Sequence, residues 1–538
     1  MATEELSFDV IIVGAGPAGL AAAIHLAKRS REQGYPLSIC LLDKGEYPGA
    51  HILSGAILDP AGLDGLLPHW SELLALVVTD VVREELVYLT RSASHRLPHF
   101  DIFGNEGCVL LSLGQLCKGL CRHAESLGVQ PFFGFSVVEP IFSPDGGLLG
   151  VVTGDVGRDV QGRPQRQFQP GVRLLAPVTL VAEGARGHLS SRLIRRFHLD
   201  RGKTPQHYAL GVKEVWEIDP ARSQPGAIAH TVGWPLGDGC QGGGFVYHSR
   251  TGRLDLGLVV DLAYTHPQTD PFALMQCWKT HPWFRNLLQG GKPLEAGARV
   301  LVKGGIQSLP YPGFPGGLLL GDAAGMLDGV RMKGVHHALL SGIAAAEAIA
   351  KSWSSKVGVS QLDRFYWQYL GQRVLPALHR ARNVQPMMTA GFWPGMLHGW
   401  IDQKWLGGRA PWTWKRDRED RSTLKDVRHS VSGRPCRGGM VLDRDRTLFL
   451  AGVKYRENQP SHIRDGRQLG PQDRSRSFPE KYYCPAGVFS VVTSGTNPEV
   501  HLRPHRCLHC QTCAIKDPDL AILWTPPEGG SGPHYLSL

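Results

Sequence analysis

The chain has 538 residues, of which 42% are hydrophobic and 20% charged. At roughly 150 residues per domain this is several domain-sized units, which excludes both a disordered chain and a stapled mini-protein. The formal net charge of +10 suits an anionic partner such as nucleic acid, an acidic protein or an anionic lipid surface, and no apolar run reaches the roughly 20 residues of a spanning helix.

Residues 1–8 hold two glutamates and no lysine or arginine, so neither a secretory signal nor an arginine-rich transit peptide is read there. The chain then alternates as one βαβ unit: an apolar strand over 9–13, Gly14-x-Gly16-x-x-Gly19 with Pro17 and Ala18, an alanine-rich helix to Lys28, and a strand over 37–42. Such a turn leaves free N–H groups at a helix N-terminus, where the dipole favours a pyrophosphate. Gly14 permits the tight turn, Gly16 lets the backbone approach the phosphates, and Gly19 lets the helix sit on the strand. Asp43, with Lys44 beside it, closes the second strand where a carboxylate accepts from ribose hydroxyls.

A helix over 113–127 carries Leu113, Leu116, Leu120, Ala124 and Leu127 at helical spacing, a stripe for core packing. Probable strands follow at 150–154, 177–182, 209–216 and 254–261. From Gly313 the turn, strand, Gly-Asp and helix pattern returns, with the helix over 334–350, as though closing the first domain. Residues 412–480 are polar and aperiodic and read as surface connections. Seven of the eleven cysteines are scattered, which points to reduced thiols and not to a disulfide framework.

Two further segments resemble flavoprotein motifs. Glu183-Gly184-Ala-Arg186-Gly187 follows an apolar strand like their middle motif, and Gly321-Asp322 resembles their later motif, whose aspartate meets the ribitol; both favour FAD over NAD. Near the C-terminus, Cys507, Cys510 and Cys513 stand at C-x2-C-x2-C spacing, with Cys484-Pro485 upstream. This is the bacterial ferredoxin pitch for a [4Fe-4S] cluster. In the two-cluster form the next ligand ligates the other cluster; here that place reads Asp517-Pro518, so one cluster is expected, with Cys484 as fourth ligand. Structural zinc is the competing reading of the same four thiols. Cys436 lacks the Cys-Pro context and is left out.

The sum of these motifs resembles the electron-transfer-flavoprotein ubiquinone oxidoreductase family across nearly the whole chain. The likeness includes Val13 to Leu20, Gly49 to Ala56, Gly304 to Ser308, Ala410 to Thr413, the cysteine block and Pro527 to Pro533. The resemblance implies an α/β and α+β architecture: a Rossmann-like FAD domain (1–97 and 296–380, with 108–190 contributing), an interleaved mixed-sheet quinone domain (191–295), a membrane-associating segment with connections (381–481) and a ferredoxin-like [4Fe-4S] domain (482–538). It implies electron entry from electron-transfer flavoprotein, reduction of ubiquinone, no obligatory acid–base side chain, and a monotopic position on the cytoplasmic face of a bacterial inner membrane. It places Gly242 and Gly243 against the quinone head group, where a backbone N–H can approach only without a Cβ; a plain loop of glycines is the alternative. It carries leaflet-entering segments to 48–70 and 389–408, with buried core as the alternative for the second. His336 and His337 serve either the flavin or the fold. Three departures stand out: Asp322 for a non-acidic residue, Gln241 for tyrosine and Asp261 for glycine. The rivals are a flavin-dependent reductase of prenyl chains, a related flavoprotein fed by a ferredoxin-like donor, and a non-catalytic cluster scaffold. No basic patch interleaved with aromatics supports nucleic acid.

Overall fold

The computed structural model describes residues 4–53, 57–98, 103–237, 239–250, 252–354, 358–426, 440–466, 476, 478–494 and 497–538; Cys436 lies outside them. Val10–Val13 is buried at every position, as a strand covered on both faces demands. It sits inside a sheet ordered Gly313–Phe314, Gly317–Leu319, Val178–Val181, Val10–Val13, Ile39–Asp43, Gln130–Phe133, parallel except for the first hairpin. Pro17–Glu32 and Val335–Ser354 cross on this sheet so closely that a Cβ on Gly342 would lie 2.2 Å from the Ala18 carbonyl oxygen. The helix Leu113–Ser126 is capped by the Ser112 hydroxyl, which accepts from the Gln115 N–H at 3.2 Å. Its leucine stripe is core, as the spacing predicts.

A second sheet runs Lys292–Val302, Tyr208–Glu217, Arg253–Asp261, Gly242–Arg250, Ala227–Gly233, Arg83–Leu89, Ser94–Leu97. It is antiparallel apart from the parallel pairing of Ala227–Gly233 with Arg83–Leu89. This corrects the expected domain limits: the strands at 83–97 and 292–302 belong to this sheet and not to the nucleotide fold. Alternation shows that a strand is half buried, not which distant strand it joins.

The C-terminal unit also reaches further than 482–538. Ile463–Asp465 pairs antiparallel with Ile522–Trp524, and a helix, Arg444–Leu450, begins on Asp443, whose carboxylate caps it; the stretch expected to be connections thus holds regular structure of its own. Tyr483, Val488, Phe489 and Leu508 share one core with Leu254, Leu256 and Val300 of the antiparallel sheet, so the cysteine unit is seated on that sheet by apolar burial.

Among the described residues no helix is long and apolar enough to cross a membrane. The expectation that 48–70 enters a leaflet is corrected: Leu58, Leu63, Leu66, Leu67 and Trp70 are buried in the main core. The second segment differs. Over Phe392–Trp400 and the turn Ile401–Trp405, Trp393, Leu397 and Trp405 are 57%, 60% and 75% exposed. Cys277 departs from the expected reduced thiols, being disulfide-bonded; the four C-terminal cysteines are free and buried.

Candidate functional site

A single cavity of about 550 Å³ runs between the two sheets and the cysteine unit. One end is lined by Gly14, Gly16, Pro17, Ala18, Asp43, Lys44, Gly184 and Asp322. The glycines divide the labour as their spacing predicts. A Cβ on Gly14, at φ +110°, would lie 2.3 Å from the Ala182 carbonyl oxygen, and one on Gly19 would lie 2.0 Å from the Gly14 oxygen. A Cβ on Gly16 would meet nothing within 4 Å, so the space above the helix N-terminus is open where a phosphate group approaches the backbone. Asp43 accepts from the N–H of Ala15 at 2.9 Å and of Gly45 at 2.7 Å, which fixes its carboxylate at the strand end.

Three expected residues do not reach the cavity. Gly19 packs beneath the turn. Gly321, at φ +53°, faces Ala18 and Ala338 while its N–H donates to the Ser341 hydroxyl at 3.0 Å. Arg186 takes a left-handed φ of 57° and turns its guanidinium toward the Tyr208 hydroxyl. His336 and His337 also stay outside the lining; they are buried with ring centroids 3.9 Å apart, and burial holds His336 down to about 3.

Burial pushes the Asp322 carboxyl up to about 6, against the opposing pull of Arg299. Arg299, from the long edge strand of the antiparallel sheet, was not legible as a site residue. It lines the cavity and its Nη1 donates to the His509 carbonyl at 3.1 Å, linking the dinucleotide end to the cysteine loop. Burial lowers Lys44 to about 8, and its ammonium lies 4.9 Å from the Trp524 ring centroid. Trp524 and Gln511 bring the cysteine unit itself into the wall.

The middle of the cavity is lined by Gln241, Gly242, Gly243 and Gly244. Gly242, at φ +149°, has no room for a Cβ, which would lie 2.0 Å from the Val259 carbonyl oxygen. Two departures from the family pattern resolve here. The Gln241 side-chain amide donates to the Met388 carbonyl, tying this strand to the apolar segment. Asp261 does not face the cavity: Lys303 at 3.1 Å and Arg416 at 3.3 Å pair with it, and those cations hold its carboxyl well below the usual range against the cost of burial. The far end is lined by Met388, Phe392 and Met396, beside the exposed Trp393 and Leu397.

Cys484, Cys507, Cys510 and Cys513 are brought together in one buried group, each within electrostatic reach of the others. Burial, helped by the neighbouring cysteines, pushes the Cys484 thiol up to about 11 and Cys507 up to about 12, so a metal-bound thiolate is the form that makes their charge tolerable. Donors are already aimed at sulfur: the Val488 N–H at 3.4 Å from Cys484 Sγ, the His509 N–H at 3.3 Å from Cys507 Sγ, and the Thr512 hydroxyl at 3.3 Å from Cys510 Sγ. The donor set fits a cluster.

Asp517 holds the place of the absent further cysteine. It is buried, and its carboxylate accepts from the N–H groups of Ile522 at 2.7 Å and Asp519 at 3.2 Å.

A dinucleotide turn and a four-thiolate cradle joined by one cavity define a flavin- and iron–sulfur-dependent oxidoreductase, with FAD and one [4Fe-4S] cluster as its cofactors. Comparison with known proteins narrows this. Residues 9–97 match the FAD dependent oxidoreductase family, 208–301 the ubiquinone-binding region of ETF-QO, and 438–536 the 4Fe-4S region of electron transfer flavoprotein-ubiquinone oxidoreductase. The chain is 38% identical to the electron transfer flavoprotein-ubiquinone oxidoreductase of Pseudomonas aeruginosa over 100% of both chains. It is 40% identical to the mitochondrial enzyme of Oryza sativa subsp. japonica over 99% of this chain and 93% of that one. The chain belongs to the electron transfer flavoprotein-ubiquinone oxidoreductase family. A geranylgeranyl bacteriochlorophyll reductase-like structure from Thermoplasma acidophilum, 17% identical over 70% of this chain and 86% of that one with a TM-score of 0.53, shares the fold.

Proposed function

We propose that this enzyme takes electrons from electron transfer flavoprotein and reduces ubiquinone, or a related membrane quinone, at a membrane surface. The observation that carries the reading is the continuity of one cavity from the dinucleotide turn, past the Gly242–Gly244 backbone and the cysteine loop, to Met388, Phe392 and Met396. When bound, FAD and the cluster supply two-electron acceptance divided into one-electron transfers.

The chain supplies placement. Gly14, Gly16, Pro17 and Ala18 hold the pyrophosphate, Asp43 and Lys44 the ribose end, Gly184 and Asp322 the remainder of FAD, and Cys484, Cys507, Cys510 and Cys513 the iron. Gly19, Gly321 and Arg186 act behind them by shaping the turns. Gly242 and Gly243 present backbone to the quinone. The exposed Trp393, Leu397, Ile401 and Trp405, with Lys404 among them, seat the cavity mouth in the interfacial layer of an inner membrane, the rest of the protein standing peripherally on its cytoplasmic face.

The test is anaerobic purification with flavin, iron and sulfide counts, followed by quinone reduction driven by reduced electron transfer flavoprotein. Full cofactor content with quinone left untouched refutes the reading and redirects the assay to reduction of prenyl chains.

A further inference from the structure

Reduction of a quinone to a quinol consumes two electrons and two protons, and the backbone of Gly242 and Gly243 has no proton to spare. The antiparallel sheet places a titratable pair beside them. Thr231 bonds the Trp278 indole N–H at 3.0 Å, and a Cβ on Gly244 would strike the same ring, so these two side-chain positions face away from the cavity. Alternation then turns His230 and Val232 to the cavity face together with Gly243 and Phe245. His230 pairs directly with Phe245, which makes Gly243 its diagonal neighbour, about 7–8 Å away between backbones and within reach of an imidazole.

The ring is held in place. His230 is buried, lines the cavity and lies tilted against Phe103 with ring centroids 4.8 Å apart. Its Nε2 lies 3.5 Å from the Glu84 carboxylate, carried by the parallel neighbouring strand on the same face as Leu86, the register partner of His230. Asn105 donates to Glu84 at 2.7 Å and fixes its orientation. The other polar groups nearby are Lys333, bonded to the carbonyls of Phe103 at 2.9 Å and Gly104 at 2.6 Å, and Tyr247, whose ring meets His230 edge-on.

We infer that His230, backed by Glu84, is the proton donor to the quinone oxygen. This rests on the quinone reading above. In the step an N–H bond of His230 breaks and an O–H bond forms on the quinone oxygen as it gains electrons from the oxidoreductase activity. The opposite ring nitrogen takes a proton that solvent has delivered to Glu84, which returns the imidazole to its other neutral tautomer. His230 thus supplies one of the two protons, to the oxygen it faces; the second electron and a proton from solvent complete the quinol at its other oxygen, and the ring regains its starting tautomer by proton exchange before the next turnover. Burial, reinforced by Lys333, lowers His230 to about 4, so the resting ring is neutral and a tautomeric shuttle does not need a stable imidazolium.

Holoenzymes carrying His230→Gln or Glu84→Gln, matched to wild type in flavin, iron and sulfide, are assayed with a short-chain ubiquinone and with ferricyanide, which accepts electrons without protons. His230→Gln is expected to lower kcat for quinone by about 30- to 100-fold, the range of general acid catalysis, with KM within about threefold. Ferricyanide reduction is expected to stay level, and quinone turnover to acquire a solvent deuterium isotope effect larger than that of wild type. Glu84→Gln is expected to lose about tenfold, with the double variant no worse than His230→Gln alone; it makes the same comparison if His230→Gln does not fold. Retained kcat on quinone, an equal loss on ferricyanide, or a change in KM alone overturns the assignment. A wild-type enzyme that reduces ferricyanide but not quinone overturns the quinone reading itself.

Discussion

Gly16→Ala separates cofactor binding from folding. Gly16 has φ −82° and ψ −176°, an extended conformation that alanine adopts freely, and its added Cβ meets nothing within 4 Å. The apoprotein should therefore keep its stability within about 0.5 kcal/mol. The methyl fills the space through which a pyrophosphate would reach the N–H groups of the helix start. Weakening two charge-assisted hydrogen bonds, each worth about 1.5 kcal/mol or more, costs about 3 kcal/mol. That is roughly 150-fold in the Kd for FAD. Gly19→Ala is the contrast: its Cβ would lie 2.0 Å from the Gly14 carbonyl oxygen, so the helix must move and the apoprotein loses about 1–3 kcal/mol or more. Titration of apoprotein with FAD by flavin fluorescence, beside urea melts of both variants, reads the two effects. Wild-type FAD affinity in Gly16→Ala would refute the placement of the pyrophosphate; an apoprotein destabilised as much as Gly19→Ala would refute the open space above it.

Lys279 and Glu214 form an ion pair at 2.6 Å with side chains 0% and 1% exposed, and Gln276 and the Trp216 indole also donate to Glu214. Lys279→Met strands the carboxylate and should cost about 3–5 kcal/mol in urea unfolding; a loss below about 1 kcal/mol would show the pair to be dispensable. Asp322 has its carboxyl raised to about 6 by burial, so ionising it opposes folding of the apoprotein. Stability from this group is full below the unfolded value near 4 and is lost as pH rises through about 6. Asp322→Asn removes that loss: the variant apoprotein should melt above wild type at pH 7.5, with the gap closing toward pH 4, and a gap independent of pH contradicts the burial argument. Replacing Trp393 and Leu397 together by glutamate should lower binding to anionic vesicles at least tenfold in flotation, since each removes a half-exposed apolar group at the proposed interface. Unchanged flotation would move the membrane contact elsewhere.

The elements that local rules govern were legible in the sequence. The strand–glycine turn–helix at 10–32 needs only neighbours in the chain, and the cysteine pitch from Cys507 to Cys513 needs only seven residues. What escaped is what distant strands decide. Arg83–Leu89 looks like any half-buried strand, and its partner lies far along the chain at Ala227–Gly233. Arg299 is one arginine among many until the long edge strand places it beside the His509 carbonyl. The segment at 48–70 is apolar enough for a membrane or a core, and only the packing of Leu63, Leu67 and Trp70 in the main core chooses between them.

Asp517 shows how such long-range placement joins the two centres. A cysteine at that point of the ferredoxin run serves a second cluster; with one cluster the position is free of metal, and a buried unpaired carboxylate there would be costly. It is instead satisfied by the Asp519 N–H and by the Ile522 N–H that opens the strand Ile522–Trp524, and that strand is pinned from the other side by Ile463–Asp465. Its last residue, Trp524, enters the cavity wall beside Lys44. The helix Thr512–Lys516, which begins at the cluster loop, is tied down as well: Lys516 donates to the Asp420 carbonyl at 2.7 Å and the Tyr264 carbonyl at 3.0 Å. The residue that marks the loss of one cluster thus fixes the geometry between the remaining one and the dinucleotide end. The distance between the centres is set by the backbone pairing of that strand, by the buried side-chain bonds of Asp517 and Lys516 to the backbone and by apolar burial, and electron transfer needs that constancy more than it needs any single reactive side chain.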